Sequence, residues 1–303
     1  VSRIAACTPH GLSIEYQDEG PRGGPVILMI MGLGMQLTAW PRPLIDGLHA
    51  HGFRTLRFDN RDAGLSDRIV DRARLDIRAE AMRSMIGLNA RSPYTLHDMA
   101  GDALGLMNAL MIDRAHVVGV SMGGMIGQVL AAESGNRVRS LTSIMSSSGA
   151  PRFRFNWTPA TRAVLTPPPR SADEESTLDH MEHIWRLIGS PGMQPPPAVL
   201  RERLRAELQR AHNPGGTMRQ MLAVMASGDR RPLLKRINVP TLVIHGEVDP
   251  LVPTAAGRDT AANVRGARFV SIPGMGHDLP DPLIPALLRD IATHCSTADS
   301  GSA

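Results

Sequence analysis

The sequence predicts an α/β fold, a mostly parallel sheet flanked by helices with a helical module inserted into it, and three observations carry the prediction. Short apolar runs recur near 26–31, 53–58, 115–118, 138–145, 240–245 and 267–272, as expected for strands buried on both faces of a sheet. Stretches of helical length separate most of them, so strand and helix alternate. The alternation stops between about 151 and 237, where Pro167-Pro168-Pro169 and Pro195-Pro196-Pro197 separate helical stretches and no strand signal intervenes. Residues 1–150 and 237–303 therefore read as one core, and 151–236 as a helical cap inserted into it.

Along the chain, residues 11–17 alternate well enough for a strand, and Asp18-Glu19-Gly20-Pro21-Arg22-Gly23-Gly24-Pro25 is an exposed turn. The run at 26–31 enters Gly32-Leu33-Gly34, a loop where backbone can approach a ligand. A helix at 43–51 and a strand at 53–58 follow. The stretch from Asp59 to Asp67 is rich in turn formers and charge, and such residues are expected to satisfy local backbone groups. Residues 68–93 accommodate one or two short helices. From Thr95 to Leu110 the spacing predicts an amphipathic helix with Leu96, Met99, Ala103, Leu106 and Leu110 on one side. The strand at 138–145 ends in Ser146-Ser147-Ser148-Gly149, and cap helices are expected near 177–188, 198–211 and 217–226. The alternation then resumes with a strand at 240–245, a helix at 254–263, a strand at 267–272 and a closing helix at 282–294. The small polar tail at 296–303 is expected to be frayed.

A chain of 303 residues can bury one large core. Aromatics are scarce at 3%, while the 17 methionines suit an apolar pocket, although core filling is their commoner use. The formal charge of +4 is spread among alternating acids and bases without a block of like sign, which points to a solvated mixed surface and away from nucleic-acid binding. Cys7 and Cys295 lie at opposite ends and make no disulfide framework or metal spacing. His180 and His183 share a predicted helix face without a third ligand, and neither metal nor organic cofactor is expected. The start shows no leader pattern, and no run approaches the roughly 18 apolar residues of a membrane span, so a soluble cytoplasmic protein is expected. Nothing in the sequence fixes an oligomeric state.

The chemistry gathers at three strand ends. Gly119-Val120-Ser121-Met122-Gly123 stands between a strand and a helix, the G-x-S-x-G pattern in which a tight turn projects the serine and the helix N-terminus favours negative charge beside it. Ser121 is the nucleophile candidate. Its proton needs a base, and His277 follows the 267–272 strand in a Gly-rich loop at the end of the sheet where such folds hold ligands. Asp249 follows the preceding strand and is expected to hold the imidazole, with Glu247 as its competitor. Backbone N–H groups of Met122 and Leu33 are the expected oxyanion donors. Gly32, Trp40, Trp157, Trp185 and Met275 are candidate pocket residues.

These residues, with Arg57-Phe58-Asp59-Asn60-Arg61-Asp62-Ala63-Gly64-Leu65-Ser66 and the segment from Asp113 to Gly123, resemble the α/β-hydrolase fold serine hydrolases, in particular carboxylesterases of the aclacinomycin methylesterase type. The resemblance covers about 10–150 and 237–293. It implies eight mostly parallel strands, a helical cap over the site, and the triad at Ser121, Asp249 and His277. Met31-Gly32 stands where many relatives carry His-Gly, a departure that leaves the oxyanion N–H in place. The expected activity is cleavage of a small-molecule carboxylic ester. A lactonase, a carbon–carbon bond hydrolase or a perhydrolase uses the same triad, and an inactive scaffold of this fold is the non-enzymatic alternative.

Overall fold

The computed structural model describes residues 3–6, 11–70, 75–85, 88, 90–153, 158–166 and 173–301. In chain order the first half comprises β1 (Arg3–Ala6), β2 (Ser13–Glu19), β3 (Val26–Ile30), α1 (Arg42–Ala50), β4 (Arg54–Phe58), α2 (Ile77–Met85), α3 (Leu96–Ala109), β5 (Ala115–Val120), α4 (Met122–Glu133) and β6 (Val138–Ile144). The inserted stretch contributes α5 (Pro159–Leu165), α6 (Glu174–Ile188), α7 (Pro197–Arg210), α8 (Pro214–Ser227) and α9 (Arg231–Leu234). The chain then returns through β7 (Thr241–Gly246), α10 (Thr254–Ala262), β8 (Arg268–Ile272) and α11 (Ile284–Ser300).

Among the described residues the eight strands form one sheet in the order β1-β2-β4-β3-β5-β6-β7-β8. β2 pairs antiparallel with both β1 and β4, and the pairs from β4 to β8 are all parallel. Parallel pairing explains the continuous apolar runs, because helices cover both faces. In β3, Leu28 and Ile30 enter a core shared with α3 and α4, while Ile27 and Met29 enter a second core shared with α1 and α11. α3 starts where Thr95 accepts from the Asp98 N–H and Asp98 reaches back to the Thr95 N–H, a reciprocal cap that satisfies two donors.

Register places the strand ends together. Ile30 lies opposite Gly119, Val120 opposite Ile144, Ile144 opposite Ile244 and Gly246 opposite Ile272. The loops after β3, β5, β7 and β8 therefore leave one edge of the sheet side by side, the crevice where open parallel sheets hold their ligands.

The structure departs from the sequence expectation at both ends and in the insertion. β1 adds an N-terminal strand that four residues are too few to announce. The frayed tail expected from 296 is instead helical to Ser300. Cys295 and Ala298 are buried there, and Asp299 pairs with Arg139 at 2.8 Å and with His116 at 3.3 Å, which anchors the last turn to the sheet. Two helices, α5 and α9, join the three expected ones, and Leu234 of α9 packs into the core beside α4. Cys295 is a free buried thiol, and Cys7 lies outside the described residues.

Candidate active site

Ser121 sits between β5 and α4 with φ 53° and ψ −118°, a left-handed conformation that a non-glycine residue adopts only under constraint. The constraint is the crowding around it. A Cβ at Gly123 would lie 2.0 Å from the Ile30 carbonyl oxygen, and one at Gly119 would lie 2.2 Å from that of Gly123. The Ser121 N–H donates to Ile144 O at 2.9 Å, and the Ser146 hydroxyl donates to Ser121 O at 2.8 Å. The turn is thus bonded on both sides of the serine, and the side chain is left to face outward.

His277 Nε2 stands 3.0 Å from Ser121 Oγ, and His277 Nδ1 stands 2.7 Å from Asp249 Oδ2. The other Asp249 oxygen accepts from the N–H groups of Leu251 and Val252 at 2.9 and 2.8 Å. Burial alone would raise this carboxyl, but the His277 imidazole and the bonds from His245 and His277 outweigh it and hold Asp249 well below the usual carboxylate range. An ionised acceptor requires the proton on His277 Nδ1, which leaves Nε2 free to accept from the serine hydroxyl. His245 Nε2 lies 2.9 Å from Val252 O and 3.4 Å from Asp249 Oδ2, bracing the acid from behind. Glu247 is elsewhere: its Oε1 accepts from the Ser271 hydroxyl at 3.0 Å on the exposed side of β8.

The Gly32-Leu33-Gly34 loop lies directly against Ser121. A Cβ on Gly32 would sit 3.4 Å from Ser121 Cβ. Met122 opens α4, so its N–H belongs to the first helical turn that has no intrahelical acceptor. Met31 O accepts from Asn60 Nδ2 at 3.0 Å and Gly32 O from the Met35 N–H at 3.2 Å, which fixes the loop from the core side. The Asp59 to Asp67 turn has the structural role expected of it, with Asp59 accepting from the N–H groups of Leu37 and Leu65 at 2.7 and 2.9 Å.

The insertion reaches both loops. The His277 N–H donates to Ile188 O at 2.7 Å, where α6 ends. Buried Ser190 accepts from the Gly276 N–H at 2.8 Å, while its own hydroxyl and N–H donate to Asp278 Oδ1 at 2.5 and 3.0 Å. Burial raises the Asp278 carboxyl above its ordinary range, against the pull of the Ser190 donors. None of Ser190, Asp278, His245 or Gln220 was singled out by motif: Ser190, Asp278 and Gln220 act through contacts distant in sequence, and His245 acts through an irregular loop that carries no period.

A cavity of about 1020 Å³ opens over Ser121 and His277, walled by the sheet-end loops, α5 to α8, and Ala81 and Ser84 of α2. Among the described residues, eight of the 17 methionines line it, so pocket lining is a large part of methionine use here. Gly32, Trp40 and Trp185 are in its wall. Met275 is not: it is fully buried in the core cluster that holds Ile272, Ile284 and Leu287, while His277, two residues on, lines the cavity. Trp157 lies outside the described residues. No helix among the described residues is long and apolar enough to cross a membrane.

Residues 25–281 match the family described as the alpha/beta hydrolase fold, and the chain belongs to that family. Over 293 residues it is 30% identical to rhodomycin D methylesterase DauP from Streptomyces sp. (strain C5), covering 90% of this chain and 91% of the relative. It is 29% identical over the same length to rhodomycin D methylesterase DnrP from Streptomyces peucetius, with the same coverage. Among solved structures it resembles the enol-lactonase from Burkholderia xenovorans LB400, with a TM-score of 0.73, 26% identity, and coverage of 97% of this chain and 100% of the other.

Proposed function

We propose that the chain is a carboxylesterase, with methyl esters among its substrates, working through an acyl-enzyme on Ser121. The observation that carries this reading is the continuous relay from Ser121 Oγ through His277 to Asp249, at 3.0 and 2.7 Å, on a left-handed turn. Ser121 Oγ attacks the ester carbonyl while His277 Nε2 takes its proton. The imidazolium, stabilised by Asp249, returns that proton to the departing alcohol. Water then enters, loses a proton to His277 and attacks the acyl carbonyl; the bond to Ser121 Oγ breaks, the oxygen takes that proton back from His277, and the acid is released. The N–H groups of Leu33 and Met122 stabilise the oxyanion in both halves, each worth about 3 kcal/mol in the transition state.

The segment 151–236 serves as the cap, and with the cavity's methionine lining it accepts a bulky apolar acyl group. The two methylesterase relatives support a small alcohol on the leaving side. The reaction calls for no metal or organic cofactor. Lactone opening by the same relay is the second reading, favoured by the likeness to the enol-lactonase.

Labelling with a fluorophosphonate tests the nucleophile: the native chain should label and Ser121→Ala should not, and equal labelling of both would remove Ser121 from the role. A panel of p-nitrophenyl esters, methyl esters and lactones then separates the two readings by relative kcat/KM.

A further inference from the structure

We infer that Gln220, carried by α8 of the insertion, is a positioning residue that sets the oxyanion loop. The inference rests on the hydrolase reading for the role of the Leu33 N–H. Gln220 is 0% exposed, and both ends of its amide are bonded to backbone of other loops. Its Oε1 accepts from the Gly34 N–H at 2.8 Å, and its Nε2 donates to Arg61 O at 2.7 Å. Only this orientation of the amide pairs acceptor with N–H and donor with C=O, since a flipped amide would oppose like groups at both ends. A buried amide is costly unless satisfied in this way, and an apolar side chain in the same space would take these partners from the Gly34 N–H and the Arg61 C=O. The two bonds therefore have a geometric consequence: they tie the loop after β3 to the turn after β4 through a residue about 160 positions away.

That loop holds the oxyanion donor. The Gly32–Leu33 peptide, which carries the Leu33 N–H, is oriented by the Met35 N–H on Gly32 O, and the next peptide, Leu33–Gly34, is oriented by Gln220, so the plane of the Leu33 N–H is held directly and through its neighbour. α8 also presses on the loop directly, since a Cβ at Gly34, where φ is +67°, would meet Thr217 Oγ1 at 2.8 Å. The same helix lends Met221, Val224 and Met225 to the cavity wall. Substrate and oxyanion loop thus touch one helix, and Gln220 converts the seating of that helix into the direction of Leu33 N–H. The insertion acts in the chemistry as well as in the choice of substrate.

The test compares the native chain with Gln220→Met, which keeps the volume and loses both bonds, Gln220→Asn, which keeps the amide and falls short of Gly34, and Gln220→Glu, which keeps an oxygen for the Gly34 N–H. The readouts are the fluorophosphonate labelling rate of Ser121, kcat and KM on the best ester, and affinity for a trifluoromethyl ketone, whose hemiketal places an oxyanion in the hole. For Met and Asn, labelling rate, kcat and ketone affinity should each fall between about tenfold and a hundredfold, with KM within threefold, and Glu should recover most of the loss. A folded Met or Asn variant with labelling rate and kcat within twofold of native overturns the proposal, as does a loss confined to KM. A native chain that labels but cleaves no ester overturns the carboxylesterase reading alone, because the labelling rates still report on Gln220. A native chain that does not label at all overturns both.

Discussion

The Ser121 turn and the His277 loop leave the same edge of the sheet and meet at 3.0 Å, but different parts of the chain hold them. Around Ser121 the bonds come from the next strand, Ile144, and from Ser146 just beyond it, and the fit depends on glycines within two residues of the serine. Around His277 the core supplies Asp249 and the insertion adds Ile188 and Ser190, with Gly276 and Ser190 separated by 86 positions. One region is shaped by its own sequence and the sheet beneath it. The other is held in part by the insertion. The turn at Ser121 therefore draws its bonds from the sheet edge, whereas the loop at His277 also draws on the seating of the insertion.

Asp249→Asn breaks the link common to both regions and should have the largest effect, a fall in turnover of about 10⁴ with the fold retained, measurable by kcat and circular dichroism. The same variant carries a pH signature. Asp249 is held below its ordinary value in the folded chain, so its contribution to stability is present above the unfolded carboxylate pKa and is lost as pH falls through the folded one. Unfolding curves between pH 5 and acid should therefore fall less steeply for Asp249→Asn than for the native chain, and parallel curves would contradict this account.

Gly123→Ala attacks the elbow through its local packing. Its methyl would meet the Ile30 carbonyl at 2.0 Å, and backbone has little room to give, so destabilisation of about 3 kcal/mol or more is expected in denaturant melts. Ser190→Ala attacks the histidine loop through the insertion. It leaves the Gly276 N–H without its acceptor and removes one donor from Asp278, so kcat should fall about tenfold with a milder loss of stability, about 1–3 kcal/mol. If Ser190→Ala proved as disruptive to the fold as Gly123→Ala, the contrast between the two regions would fail.

The smallest effect is expected far from both. Burial lowers His294 to about 4, against a backbone bond to Leu141 that favours its charged form. The unfolded chain therefore takes up this proton first as pH drops, and stability is lost between about pH 6.5 and 4. His294→Gln should flatten that part of the melting-temperature profile while leaving kcat unchanged.

Much of the fold was legible because parallel strands buried on both faces advertise themselves as apolar runs. Val26–Ile30 and Thr241–Gly246 were found this way, while Arg3–Ala6 is too short to stand out. The candidate site residues were legible where chemistry demands a residue type at a strand end. Ser121, Asp249 and His277 could be named from order alone, and the geometry brings them within hydrogen-bonding reach. Met275 shows the limit of that method. Two positions from His277 in the same loop, it faces the opposite way, and spacing in an irregular loop carries no period from which to read direction.

By itself, then, the sequence determined the alternation of strands and helices, the turn at Ser121 with its glycines, and the order in which Ser121, Asp249 and His277 stand as candidates at successive strand ends, because each depends on local conformation or on residue chemistry. The tertiary structure alone decided which side chains brace those groups. Gln220 on Gly34 and Ser190 on Gly276 and Asp278 are ordinary polar residues within a helix or at a helix end, and their roles arise from the seating of the insertion on the sheet edge. A hydrogen bond between residues so far apart in the chain depends on the packing of every element between them, and no local pattern records that sum.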